Sequence, residues 1–367
     1  MASATPPAYV HIEALQTAVP TRVVAPGRTR PVAVREPPLP ASALQRRFRV
    51  VLYYRAGADG AAAPSWGEEA LLVKESLSEA VADHPEMAGR LRRRADGSWE
   101  VKLNDTGVRL VMATSEAAVE EFVGAADRDR ARREAALAPW TDVNPEDPDM
   151  CALCFMQLTR FQGDGGYAVG VSCSLMLSDP LSLARFLLSW ARTHAAMKAK
   201  NKLAPNPMMQ YAGYFQRPEA MTRRVKSVPL DAPAAADAGV ETVLFRAAAV
   251  GAPDHRALAR ACVEQASERL GAGKVPRFSV VVVDGDGDGN AGGMSVETCA
   301  ADEQQVSGGG EHKLEVAQWQ ELGLGELVLR ESKPVHVSCS IVTGGDEGLV
   351  VVMPDGDGFL VTATVSK

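Results

Sequence analysis

The sequence predicts a mixed α/β chain, of α+β or α/β type, folded in two halves. Three observations predict it. Apolar strand-like runs and amphipathic helical stretches occur together on both sides of a Pro-, Ala- and Lys-rich segment. Gly, Pro and Asp punctuate neighbouring strand-like runs, as turns do. The chain is 367 residues long with 46% hydrophobic content, enough to bury a sizeable core and more in keeping with two domains than one.

Val10 to Val19 is an apolar run closed by Pro20 and reads as a strand. Arg47 to Tyr54 is a second, ending at Ala56-Gly57-Ala58. From Glu68 to Ala82, the residues Ala70, Val73, Leu77, Ala80 and Val81 recur at helical spacing. Ser65 with Glu68 three residues on forms a capping box for that helix, and His84-Pro85 ends it. The turn Ala88-Gly89-Arg90-Leu91 leads to a predicted strand pair, Trp99 to Leu103 and Val108 to Ala113. Ser115 is placed to cap a helix from Glu116 to Ala125. Cys151 to Phe161 and Tyr167 to Cys173 form a predicted hairpin across Gly163-Asp164-Gly165-Gly166.

Leu181 to Lys198 is the next helix, with Asp179 where an N-cap belongs and Pro180 at the first helical position, where its missing N–H costs nothing. Residues 200–239 lack periodicity and read as a crossover linker between an N-terminal half, 1–199, and a C-terminal half, 240–367. The second half predicts a strand at Glu241 to Ala247, a helix at Asp254 to Leu270 and a strand at Arg277 to Val283. A Gly/Asp loop and a short strand near Met294 to Thr298 follow. The chain ends in a predicted strand pair, Val335 to Thr343 with Gly348 to Met353, and a last strand, Phe359 to Val365.

Composition narrows the function classes. A net charge of -7 and a pI of about 5.5 argue against a nucleic-acid surface. The Arg-rich pieces at Arg90 to Arg94 and Arg128 to Arg133 read as solvated helix or turn faces. Met1 to Pro7 carries no apolar signal region, and no run approaches the ~18 apolar residues of a membrane span. The 6 cysteines sit mostly in apolar strand-like segments, which fits reduced core thiols and a reducing compartment. Cys151 and Cys154 form a C-x-x-C without a second pair at zinc spacing and read as buried small residues. In Asp284-Gly285-Asp286-Gly287-Asp288-Gly289-Asn290 neither calcium-loop register works. Counting from Asp284 puts Ser295 at the bidentate position; counting from Asp286 puts Glu297 there but Ala291 where glycine must turn. A flexible acidic hairpin loop is the reading.

The stretch from Tyr167 through Val171-Ser172-Cys173-Ser174 to Leu175-Met176-Leu177-Ser178-Asp179 reads as a buried strand running into a short loop that ends in an aspartate. It resembles the segment that carries the His-x-x-x-Asp motif of the plant BAHD acyltransferases. Other segments resemble that family in order along the chain: Val10 to Val19, His84 to Leu91, Asn104 to Val108, Phe155 to Phe161, Val275 to Val280 and Lys333 to Ser338. The resemblance implies a chloramphenicol-acetyltransferase-like fold of two similar domains, each a mixed sheet with flanking helices, around a channel for acyl-CoA and acceptor.

The departures from the family pattern bear on chemistry. Leu175 stands where the family's histidine would deprotonate the acceptor, and an aliphatic side chain has no proton to give or take. Asp179 is present, with the structural role of holding the loop, and is followed by Pro180 where the family has glycine. The second signature, Asp-Phe-Gly-Trp-Gly, would lie directly before Lys333-Pro334, where Val328-Leu329-Arg330-Glu331-Ser332 stands. The chain is short for the family, with the loss between Asp302 and Leu327. Ser174 has no histidine at a local spacing to activate it. Of His11, His84, His194, His255, His312 and His336, the last is the first to consider as a displaced base, although in its strand it is expected to face away from the core.

Loss of the second signature is shared with the eceriferum/glossy-like branch, whose members assist very-long-chain fatty-acid elongation for cuticular wax. Gly344 to Pro354 resembles that branch most. The resemblance implies a non-catalytic accessory protein. Its partner would be a fatty-acid elongase condensing enzyme, its ligand an acyl-CoA or long acyl chain, and its place the cytosolic face of the endoplasmic reticulum, reached through that partner. The alternative is an acyl-CoA-dependent acyltransferase with a displaced base. No metal or resident cofactor is expected.

Overall fold

The computed structural model describes residues 8–25, 27–56, 66–103, 106–201, 225–230, 239–248, 254–283, 293–300, 313–345 and 348–366. Among them the strands form two mixed sheets. The first contains β1 (Tyr9–Ala18), β3 (Arg47–Tyr54), β6 (Val108–Ser115), β7 (Cys154–Phe161), β8 (Tyr167–Ser174), β9 (Lys226–Pro229) and β14 (His336–Val342), in the order β14-β3-β8-β7-β6-β1-β9. The second contains β2 (Thr29–Val34), β4 (Arg90–Arg93), β5 (Trp99–Lys102), β10 (Val240–Ala248), β11 (Arg277–Val283), β12 (Met294–Ala300), β13 (Leu314–Ala317), β15 (Gly348–Asp355) and β16 (Gly358–Ser366), ordered β13-β10-β16-β15-β11-β12-β2-β5-β4. The helices are α1 (Trp66–Asp83), α2 (Glu120–Val123), α3 (Asp127–Glu134), α4 (Pro180–Asn201) and α5 (His255–Leu270). This is the mixed α/β architecture that the sequence predicts.

The cores follow from which strand faces are covered. Every residue of β8 is buried, because it lies inside the sheet with material on both faces. One continuous apolar core runs from Phe48 and Leu52 on β3, past Leu77 on α1 and Leu187 on α4, to Val281, Val351 and Leu360 on the second sheet. A second core joins Leu258, Ala259, Cys262 and Ala266 of α5 to Val280, Val350 and Val361. A third covers the opposite face of the first sheet with Val51, Tyr53, Phe122 and Phe161. Asp254 caps α5, its side chain accepting from the amides of Arg256 and Ala257, and Gly271 ends that helix at a φ of 63°, where a side chain would be strained.

Strands from either side of residues 200–239 mix in both sheets. β14, from late in the chain, forms the edge of the first sheet beside β3, and β2, β5 and β4, from early in the chain, extend the second sheet beyond β12. This exchange corrects two sequence expectations. Trp99 to Leu103 and Val108 to Ala113 do not pair: β5 joins β2 and β4, whereas β6 joins β1 and β7. Nor do β14 and β15 pair, because the chain leaves the first sheet after Val342 and enters the second at Gly348. Gly344 makes that passage possible: its φ is 72°, and a Cβ there would lie 2.4 Å from the Ser42 carbonyl oxygen.

Smaller differences have local causes. The helix expected from Glu116 to Ala125 is only Glu120–Val123, because Ser115 remains in β6 and its hydroxyl accepts from Ala117 N at 3.3 Å within a turn. The Ser65 cap, Asn104-Asp105 and the Asp284 to Asn290 loop lie outside the described residues. So do residues 202–224 and 231–238 of the expected linker; between them, β9 adds a strand to β1.

Candidate functional site

At the end of β8 the chain turns through Leu175, Met176 and Leu177 into α4. Backbone bonds define the turn: Leu177 N and Ser178 N donate to Ser174 O at 2.9 and 3.0 Å, and Leu175 N donates to Arg46 O at 3.0 Å. The Ser174 hydroxyl accepts from Met176 N at 3.1 Å, so it serves the turn. From the second sheet, the buried Arg30 guanidinium donates to Met176 O at 3.1 Å and to Leu177 O, fixing the turn from the other side. Asp179 ends it as a helix cap. Its Oδ1 accepts from Leu181 N at 2.8 Å and Ser182 N at 2.9 Å, satisfying two amides that would otherwise lack partners at the start of α4.

Leu175, Met176 and Leu177 are each 0% exposed and belong to the continuous core between the sheets. The position that the resemblance assigns to a base is therefore filled by packed hydrocarbon. Arg46, beside it, also joins the halves: its guanidinium donates to Ser279 Oγ at 2.8 Å and to Thr343 O at 3.3 Å.

The histidines lie elsewhere. On β3, Arg47 pairs with Ser174 and Tyr53 pairs with His336, so His336 sits six residues of strand, ~20 Å, from the turn. Its ring lies 5.9 Å from that of Tyr53, toward the face opposite the inter-sheet core. Burial, with Arg130 nearby, holds its pKa below the usual value. His194 lies fifteen residues along α4 from Asp179, ~22 Å away. His11 is held by Ser227 Oγ at 2.8 Å and Glu116 Oε1 at 2.9 Å. His84 lies 3.4 Å from Glu86, whose hydrogen bond raises its pKa, and its ring meets Phe186 edge-on. His255 packs edge-on against Phe359, and His312 lies outside the described residues.

The segment before Lys333-Pro334 has a definite shape that the sequence did not reveal. Leu329 and Ser332 exchange backbone hydrogen bonds, both 3.0 Å, around Arg330 and Glu331 at φ values of 48° and 66°. Left-handed backbone at two consecutive non-glycine residues is costly, so surrounding contacts must hold it. Arg330 pairs with Glu69 on α1 and lies 4.7 Å over the Tyr167 ring. Tyr167 donates its hydroxyl to Leu329 O at 3.0 Å, and Tyr54, stacked on it at 4.6 Å, donates to Leu327 O at 2.9 Å. Burial lowers Arg330 to about 10, which still leaves it charged at neutral pH.

The remaining sequence candidates are structural in their contacts. Cys154 faces Cys173 across β7 and β8; the hydrogen bond between the thiols, then burial, pushes Cys173 well up. Cys151 accepts from Asn144 N at 3.2 Å. Glu297 lies in β12 between Arg256, at 2.8 Å, and Arg35, at 3.2 Å. Glu69, Glu100 and Glu134 are buried acids that the sequence did not mark out. Glu134, inside an Arg-rich run read as solvated, accepts from Tyr53 at 2.9 Å and Ser338 at 2.8 Å, and burial raises its pKa. No spacing signal could have found it, since both partners come from distant strands. Among the described residues, no three His, Cys, Asp or Glu side chains are grouped to hold a metal ion.

Residues 62–237 match the profile of the Transferase family. Over 154 residues the chain is 33% identical to tryptamine hydroxycinnamoyltransferase 2 of Oryza sativa subsp. japonica, a match covering 42% of this chain and 32% of that protein. Over 152 residues it is 30% identical to Protein ECERIFERUM 26-like of Arabidopsis thaliana, covering 41% of this chain and 35% of that protein. The matched stretch thus spans about a third of the length of these curated relatives. The crystal structure of vinorine synthase has the same fold, with a TM-score of 0.50 at 16% identity over 98% of this chain and 95% of that one. The profile match over residues 62–237, just under half of the chain, and the two relatives mark a similarity to the Transferase family, and vinorine synthase shows the shared fold.

Proposed function

We propose that this chain is a non-catalytic member of the family that works by binding, as an accessory to very-long-chain fatty-acid elongation. The carrying observation is Leu175. It occupies the position expected of a general base, and it is fully buried in the core that joins the two sheets. Proton transfer needs a titratable group within hydrogen-bond reach of the acceptor, and an enclosed leucine supplies none. The likeness to an ECERIFERUM 26-like protein supports the elongation role over other binding roles. In this reading the partner is a condensing enzyme at the cytosolic face of the endoplasmic reticulum, and the ligand is a long acyl chain or its CoA ester. No helix of the described residues is long and apolar enough to cross a membrane.

A second reading, an active acyltransferase with a displaced base, draws on the similarity to tryptamine hydroxycinnamoyltransferase 2. The placement of His336 and His194, each ~20 Å from the motif turn, weighs against it. Co-expression with a condensing enzyme tests the first reading. The acyl chains should lengthen and the two proteins should co-purify. Unchanged lengths across several condensing enzymes, with no association, would defeat it.

A further inference from the structure

β7 and β8 bring two free cysteines face to face. Cys154, the first residue of β7, is paired with Cys173, the last but one of β8. Two backbone bonds fix the phase of this antiparallel ladder: Ser174 N donates to Leu153 O and Phe161 N donates to Gly166 O, both at 2.8 Å. Both fall on odd-numbered residues of the β7 side, so Cys154 and Cys173 form a non-hydrogen-bonded pair. In such a pair the Cα atoms approach to ~4.5 Å and the side chains lie closest. That approach falls within the ~4.4–6.8 Å spanned by the Cα atoms of disulfides.

The side chains meet as the backbone requires. A hydrogen bond between the thiols is the main cause that raises Cys173, so the Cys173 S–H donates and the Cys154 sulfur accepts. The strand register brings no other two cysteines opposite one another: Cys299 faces Phe278 and Cys339 faces Val50. Cys151 precedes β7 and accepts from Asn144 N at 3.2 Å.

The surroundings set the rate and the reagent. Cys154 is 2% and Cys173 0% exposed, and burial keeps such thiols protonated and slow to react. A charged or bulky oxidant has no way in, whereas hydrogen peroxide is small and neutral and can enter when the strand ends open locally. The first oxidation is therefore the slow step. The second is fast, because the partner sulfur is already in contact.

We propose that Cys154 and Cys173 are a site of reversible oxidation by hydrogen peroxide, closing as a cross-strand disulfide immediately before the turn at Leu175 to Leu177. The Cys154 sulfur attacks one peroxide oxygen, the O–O bond breaks and one water leaves, giving a sulfenic acid. The Cys173 sulfur then displaces the hydroxyl from Cys154, and its own proton departs with that hydroxyl as a second water. Two thiols are oxidised to one disulfide and one peroxide is reduced to two waters. An external dithiol reverses the bond by exchange. The proposal goes beyond the elongation reading and does not depend on it.

The test uses the full folded chain, freed of reductant, treated with excess hydrogen peroxide, then alkylated in denaturant and digested with trypsin. Met150, 76% exposed, reports by its own oxidation that the peroxide has acted. The peptides Glu134 to Arg160 and Phe161 to Arg185 should be recovered linked, with the other four of the 6 cysteines alkylated. Fragmentation of the linked pair should place the bond on Cys154 and not on Cys151. Dithiothreitol before alkylation should abolish the link, Cys151→Ala should keep it, and Cys154→Ala and Cys173→Ala should each lose it. Met150 oxidised while all cysteines remain alkylated, a link carried by Cys151, sulfinic acid without a link, or a link that forms only in urea would each overturn the proposal. All four readouts come from the unsubstituted chain, so they hold even where an alanine variant fails to fold.

Discussion

Arg330, in the tight turn before Lys333, is ion-paired with Glu69 on α1, 261 residues away in sequence. The pair ties the late part of the chain to its first long helix, next to the stacked rings of Tyr54 and Tyr167. Glu69 is 6% exposed and Arg330 25%, so neither charge is well solvated once its partner is gone. Glu69→Ala and Arg330→Ala should each lower stability by about 3 kcal/mol, and the double variant by much less than the sum. Urea unfolding of the three variants checks this; additive losses would show that the residues act independently.

Glu331 shares the left-handed backbone of that turn but not its burial. Its side chain is 78% exposed, and its Oε1 accepts from Lys198 Nζ at 3.5 Å. Glu331→Gly removes the Cβ penalty at a φ of 66° and gives up little, so it should raise the unfolding midpoint by the equivalent of about 1 kcal/mol. A loss of stability would mean that the Lys198 contact outweighs the backbone strain.

Asp179 acts at the head of α4 through hydrogen bonds to two amides. Asp179→Ala should cost ~0.5–2 kcal/mol, while Asp179→Asn and Asp179→Ser, which keep an acceptor, should stay within a few tenths. Equal damage from all three in thermal denaturation would assign the role to the charge itself.

His194 gives a pH dependence with a definite sign. Burial first, and then Lys198, lower its pKa from 6.5 to about 4 in the folded chain. Between those values the unfolded chain binds a proton that the folded chain refuses, so stability is full above about pH 6.5 and falls as the pH drops toward 4. The shift corresponds to about 3 kcal/mol when traversed completely. His194→Gln should flatten that limb of a pH–stability curve measured by chemical denaturation. An unchanged slope would place the titration in other groups.

Much of the local structure was legible in the sequence because it obeys local rules. Arg47–Tyr54, Arg277–Val283 and the Asp254-capped helix coincide with elements that periodicity and capping mark out. Asp179 and Pro180 spell a helix start without any tertiary information. Sheet membership was not legible. Val335 to Thr343 and Gly348 to Met353 look like a hairpin across Gly344-Gly345, yet each pairs with strands far away in sequence. Hydrophobic pattern reports that a strand is buried, not which edge it joins. β2 escaped notice because Pro31 interrupts it and Arg30 replaces an apolar residue, and that arginine turns inward to hold the carbonyls of the 176–177 turn. α3 is charged on nearly every residue, so nothing in its sequence announces that Arg130 and Glu134 are buried.

The burial of Leu175 decides how the central proposal must be tested. Leu175→Ala would excavate a core position that is 0% exposed, costing ~2–5 kcal/mol, and would confuse lost function with lost fold. Leu175→Met nearly conserves volume and should cost less than ~1.5 kcal/mol. If the position is inert filling, the methionine variant should leave chain-length extension by a co-expressed condensing enzyme unchanged. The purified chain should also show no acyl transfer from acyl-CoA to alcohol or amine acceptors above the uncatalysed rate. A working general base contributes ~10²–10⁴-fold, so its absence is easily measured. Turnover that vanishes on replacing one of the remaining histidines would instead support a displaced base, and the accessory reading would then fail on chemistry.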